Sequence, residues 1–267
     1  MRRVVRFIAY ALLAGIVAAG AYGTSTRGDW RSASRASVGL APDPAQVKEA
    51  VVQVYGARTM GAKGVFGVHT WVATKAANAE EWTVYEVIGW RLRHSSSAVV
   101  VRERSPDGRW FGAEPELYAD RRGAGVDELI ERIAQAVRDY PYAAQYRVWP
   151  GPNSNTFTAW IARAVPELAI DLPATAIGKD YLGSSIFGTA PSGSGYQLSL
   201  GGLFGVAVSA VDGFELNVLG LSFGVGPSGL KLPIVGLIGA RSIATRPPDI
   251  PSTGAAVSIE LPAASRP

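Results

Sequence analysis

The chain has 267 residues, 48% hydrophobic and 18% charged, with 26 basic against 22 acidic side chains and no cysteine. This composition excludes an intrinsically disordered chain and leaves room for a sizeable core. The missing cysteines exclude disulfides, thiolate nucleophiles and Cys-ligated zinc. Residues 1–46 carry six Arg against two Asp, residues 47–180 sixteen charges of each sign, and residues 181–267 four of each, so the net +4 belongs to the N-terminal segment. A nucleic-acid footprint needs Lys and Arg clustered on a folded face; the balanced body therefore excludes nucleic acid as a partner.

Arg2, Arg3 and Arg6 precede an uncharged apolar stretch from Phe7 to about Gly23, close to the minimum of about 17 residues that crosses the hydrocarbon core as a helix. The expectation is a transmembrane helix that partners the membrane through residues 7–23. The small residues of Ala21-Tyr22-Gly23 leave signal cleavage as the alternative. The basic extreme N-terminus favours a cytoplasmic start and a body facing the periplasm or outside, although Arg27, Arg31 and Arg35 flank the other end. The expected localisation is the inner (cytoplasmic) membrane, or export after cleavage. Residues 1–25 read as anchor or signal, and residues 26–46, ending in Pro42-Asp43-Pro44, as a tether.

Runs rich in Val, Trp, Tyr and Thr at Val51 to Val54, Val65 to Thr74, Trp82 to Leu92 and Ala98 to Val101 predict a β-meander, with Asn78 in the hairpin between the second and third strands. The period then changes. Val126, Leu129, Ile130, Ile133 and Val137 form a helical stripe, with acidic residues in its first turn, that is stopped by Pro141. A second stripe of Phe157, Trp160, Ile161, Ala164 and Val165 is closed by Pro166. The fold class is α+β, an antiparallel β-meander packed with two or more helices over residues 47–182.

From residue 183 to 245 the chain turns Gly-rich and aliphatic, and pieces such as Tyr196 to Leu200, Phe214 to Leu221 and Leu230 to Leu237 predict a β-hairpin extension. Asp212-Gly213 marks a turn, and Asp212, Glu215, Asn217 and Lys231 interrupt any bilayer-length span. The extension either completes the core or faces a membrane or partner. Residues 246–267 read as a flexible tail.

Trp149-Pro150-Gly151-Pro152-Asn153-Ser154-Asn155-Thr156-Phe157 delivers small polar residues onto a helix N-terminus. There the free amides and the positive dipole end favour an ionised nucleophile or an oxyanion; the plainer reading is an N-cap at Asn153, Ser154 or Asn155. His69 lies in an apolar strand, and Glu86 shares the face of Trp82 and Val84 on the next strand, where a carboxylate is costly unless paired. Ser154, His69 and Glu86 are thus candidates for nucleophile, base and orienting group. Asn153, Asn155, Tyr146 and Trp149 are the candidate substrate-binding residues. With two His and no Cys, no metal is expected, and no cofactor motif is present: Gly178-Lys179-Asp180 lacks the glycine loop and the hydroxyl of a nucleotide P-loop.

At Tyr140-Pro141-Tyr142, at the nine-residue stretch through Ser154, and at Ala176-Ile177-Gly178-Lys179-Asp180-Tyr181 the chain resembles an uncharacterised bacterial family, the domain-of-unknown-function family 3750, over residues 50 to about 240. Asn153-Ser154-Asn155-Thr156-Phe157 also resembles, more distantly, the Asn-Cys-x-x-Phe helix start of circularly permuted papain-like enzymes, of the NlpC-type and lecithin-retinol-acyltransferase-like groups. That likeness implies Ser154 at the thiol position, His69 at the base position and Glu86 at the third polar position. Ser in place of Cys leaves either a serine enzyme or a site that has lost catalysis. Two functions stand open. One is a non-catalytic binding or structural module of the cell envelope on an enzyme-like fold, with peptidoglycan or lipid as ligand. The other is a Ser/His hydrolase or acyltransferase acting on an amide or ester of peptidoglycan peptides or lipids. A hydrogen bond between Ser154 Oγ and a His69 nitrogen beside an open cleft distinguishes the second.

Overall fold

A computed structural model of the chain describes residues 30–241 and 243. The fold is α+β and mostly β, with two antiparallel sheets and few helices. The first sheet has the order β4-β3-β2-β1-β5, where β1 is Val51–Arg58, β2 Val68–Lys75, β3 Thr83–Val87, β4 Val99–Glu103 and β5 Glu116–Arg122. Its central pair, β1 and β2, runs in register from Val51 opposite Lys75 to Arg58 opposite Val68.

Both faces of this sheet are covered, which is why β1 and β2 read as near-continuous apolar runs. Val52, Val54, Val68 and Val72 pack with the apolar stripes of α2 (Val126–Arg138) and α3 (Ser154–Ala164). Val51, Tyr55, Trp71, Ala73, Trp82 and Val84 form a second cluster on the opposite face, joined by Ala41, Val47 and Trp110. A one-turn helix, α1 (Lys63–Phe66), connects β1 to β2.

The expected transmembrane helix requires correction. No helix among the described residues is long and apolar enough to cross a membrane; the helices have 4, 13 and 11 residues, against the roughly 20 that a span needs. Residues 7–23, on which the expectation rested, lie outside the described residues.

Strand boundaries also differ from expectation. The second strand starts at Val68 and not at Val65, because Val65 and Phe66 lie in α1. The third strand stops at Val87 because Gly89–Arg93 coils into a 3-10 turn, and Phe214 to Leu221 splits in two at a Leu219-Gly220 turn. Strand β5 had no sequence signal strong enough to identify it, since its alternation is broken by Asp120, Arg121 and Arg122.

The second sheet is a seven-stranded meander. Its strands are β6 (Phe187–Gly188), β7 (Tyr196–Leu200), β8 (Phe204–Ser209), β9 (Gly213–Val218), β10 (Leu221–Gly226), β11 (Gly229–Leu232) and β12 (Gly236–Gly239), each paired with the next. The usual alternation is reversed here: Gln197, Ser199, Glu215, Asn217, Ser222 and Lys231 point inward and are buried, while the apolar residues between them face out. Most of the inward groups find partners in the segment after α3, although Asn217 Oδ1 has none among the described residues. Lys179 pairs with Glu215, Lys231 pairs with Asp171 and, at 2.6 Å, with Glu215, and Asp180 accepts from Asn217 at 3.0 Å and from Ser222 at 3.2 Å. Arg163 of α3 reaches the Gln197 side chain at 2.9 Å and the Lys179 carbonyl at 3.0 Å. A polar seam therefore fastens the meander to the core, because buried charges persist only where partners are supplied.

Candidate functional site

Helix α3 starts where Asn153 caps it. Asn153 Oδ1 accepts from the amides of Asn155 at 2.9 Å and Thr156 at 3.2 Å, and the Thr156 hydroxyl accepts from the Asn153 amide at 3.1 Å, closing a capping box. Asn153 Nδ2 donates to the carbonyls of Val148 and Ile177, and Asn155 Nδ2 to those of Val68 and Ile177. Both asparagines are thereby tied to the scaffold, although they line the cavity described below. Gly178, at φ +96°, passes so close that a Cβ there would lie 2.4 Å from Asn153 Nδ2; only glycine lets the loop seal the cap.

His69 and Glu86 are brought together: His69 Nε2 lies 3.0 Å from Glu86 Oε2. Glu86 Oε1 accepts from Arg102 at 2.6 Å and Arg104 at 3.4 Å. Burial pushes the Glu86 carboxyl up, but the His69 hydrogen bond and the two guanidinium groups outweigh it and hold it at about 2. Burial lowers the His69 pKa from its usual value, against the pull of Glu86, so at neutral pH the ring is neutral and its Nε2–H donates a hydrogen bond to the ionised carboxylate. The ring also stacks on Trp110, with centroids 3.7 Å apart.

Ser154 is buried at the first position of α3, and among the described residues no hydrogen bond links its hydroxyl to His69. The reason lies in strand alternation. Thr70, one residue on from His69, faces α3: its Oγ1 is 3.0 Å from Asn155 Oδ1 and 2.9 Å from the Thr158 hydroxyl. His69 therefore points to the other face of the sheet, beside Trp71.

Ser154 and His69 nevertheless line one cavity of about 570 Å³. β2 and β3 pair only from Val72 to Thr74, so the ladder ends before His69, and the cavity opens between Val68 and His69 on one side and Val87, Ile88 and Gly89 on the other. Phe66, Trp90, Trp110, Tyr146 and Trp149 supply aromatic walls, and Lys63 and Arg93 are exposed at the cavity with no carboxylate among the lining residues. Trp149 is fixed from the meander by its Nε1–H donating to the Leu219 carbonyl at 2.9 Å.

The sequence reading missed Trp90, Trp110, Lys63 and Arg93. Trp110 sits in an irregular loop with Phe111 and Gly112, where no periodicity points toward His69; the Trp110-Phe111 pair between Gly108 and Gly112 was the one available signal.

A cluster of three buried acids, Asp171, Asp212 and Glu215, lies elsewhere, with carboxylate atoms within 4.8 Å of one another. The Lys231 ammonium bonds Asp171, Glu215 and the Asp212 carbonyl. A lysine thus supplies the positive charge that a metal would bring.

Comparison with curated proteins and with solved structures gives no match. Residues 49–181, the segment that contains Ser154, His69, Glu86 and the residues that line the cavity, match the family model described as "Protein of unknown function (DUF3750)".

Proposed function

We propose that the chain is a non-catalytic binding module whose cavity takes a carboxylate-bearing glycan or peptide, with a peptidoglycan fragment as the ligand class. The observation that carries this reading is the cavity wall: Phe66, Trp90, Trp110, Tyr146 and Trp149 beside two cations, with no acidic residue. Indole faces suit sugar rings and flat peptide groups, and the exposed Lys63 and Arg93 suit carboxylates. A cavity of about 570 Å³ falls within the usual range for such ligands. His69, locked between Glu86 and Trp110, acts as wall and scaffold. This ligand class agrees with the export reading of residues 1–25 and with a setting in the cell envelope.

The test is a titration of tryptophan fluorescence with a soluble muramyl peptide. Saturable quenching is expected in the wild type, weakened about tenfold or more, roughly 1.4 kcal/mol, in Trp110→Ala and in Arg93→Ala, and weakened likewise when the ligand carboxylates are amidated. No saturable change at millimolar ligand would overturn the reading.

One observation favours a second reading. The Asn153 side chain takes the Asn155 and Thr156 amides and its carbonyl takes the Phe157 amide, which leaves the Ser154 N–H as the free first-turn donor next to the Ser154 hydroxyl, while His69 Nδ1 remains as the uncommitted ring nitrogen. In a serine hydrolase of permuted papain-like ancestry those groups would serve as oxyanion donor, nucleophile and base. The reading requires a rearrangement that brings Ser154 Oγ to within about 3 Å of the imidazole.

A further inference from the structure

We infer that the outer face of the seven-stranded sheet is the interface with a second copy of this chain. The face is apolar from edge to edge: Tyr196, Phe204, Phe214, Leu216, Phe223 and Val225 all stand on it and are each more than 40% exposed. With their neighbours on β6 to β12, twelve large apolar side chains about half exposed present on the order of 1,000 Å² of apolar surface. A monomer's largest apolar patch is usually about 300–600 Å², and each partner in a standard stable interface contributes about 800 Å². The area therefore exceeds what a solitary protein tolerates and meets what a dimer needs.

Charge decides which occupant fits. Between residues 183 and 240 the only charged side chains are Asp212, Glu215 and Lys231, and all three are buried in the seam on the inner side. A face that lay on lipid would carry a fringe of Lys and Arg for the headgroups, and none is present on this sheet. A partner of different chemistry would find no charged side chain on this face to select it. An uncharged sheet face is complementary to itself: two copies related by a two-fold axis stack face to face, about 10 Å apart, as in a β-sandwich. β9 is the central strand of the seven, so Leu216 lies near the middle of the contact.

Sedimentation velocity of the full chain tests this. The wild type is expected at twice the monomer mass at about 10 μM, well above the dissociation constants of interfaces this large, and Phe223→Lys/Val225→Lys is expected as a monomer with unchanged far-UV circular dichroism. A monomeric wild type, whether or not it binds phosphatidylcholine/phosphatidylglycerol vesicles, or a dimer that persists in the folded double variant, would overturn the inference. A second readout does not depend on the lysine variant. Because the chain has no cysteine, Leu216→Cys provides a single thiol on the face, and its alkylation by a maleimide is expected to slow at least tenfold as protein concentration rises through dimerisation. A rate independent of concentration would contradict the interface.

Discussion

At the scale of single residues, the site is governed by what surrounds His69. Its ring is buried, stacked on Trp110 and bonded to an ionised Glu86, so the neutral imidazole is a consequence of burial that Glu86 only partly offsets. A depressed pKa in the folded state means that the unfolded chain binds the proton more readily. The contribution of His69 to stability is thus present above the usual value of 6.5 and is lost as pH falls from there through the folded pKa. Glu86 behaves in the same sense at lower pH, its contribution fading from about 4.5 toward about 2. NMR titration of the His69 ring is expected to show a midpoint below 6.5, and Glu86→Gln is expected to move it lower still, because the carboxylate is what favours the imidazolium. A midpoint above 6.5 in the wild type would contradict the buried, locked imidazole.

At the scale of elements, the polar seam between the meander and the core is the joint with most at stake. Lys179 and Glu215 are both deeply buried. Burial alone would lower the Lys179 pKa, but Glu215 with Asp180 and Asp212 overcomes it and raises it, while Lys179 and Lys231 hold Glu215 low against its own burial. Removing one member leaves a buried charge without its partner. Glu215→Leu is expected to destabilise the fold by about 3–5 kcal/mol, and Lys179→Met/Glu215→Leu by much less than the sum of the two single changes. Urea unfolding curves of the three variants would check this, and additive losses would contradict the seam. Residue types alone do not forecast such a joint: the sequence shows Asp212, Glu215, Asn217 and Lys231 as interruptions of apolar strands, and only the pairing of β9 with β10 and of β10 with β11 reveals that they share one buried face.

At the scale of the whole molecule, the α+β class, both long helices and the Gly-rich hairpins were legible, because each rests on a local period or a turn residue such as Gly213. The pairing of His69 with Glu86 was legible too, since a buried carboxylate in an apolar strand demands a partner on the neighbouring one. Ser154 was placed correctly at a helix start, yet its relation to His69 was not legible, because it depends on whether odd or even residues of β2 face α3. Thr70 holds that place. Nor was the aromatic wall legible, since Trp90 and Trp110 come from irregular segments whose return to His69 is a property of the chain trace. The central claim is that this cavity binds without reacting. It is tested most directly by equilibrium dialysis of a muramyl peptide against wild type and Ser154→Ala, followed by mass spectrometry of the ligand. The account predicts retention of ligand of unchanged mass, equal for both proteins. A ligand cleaved at an amide or ester by the wild type and left intact by Ser154→Ala would contradict it.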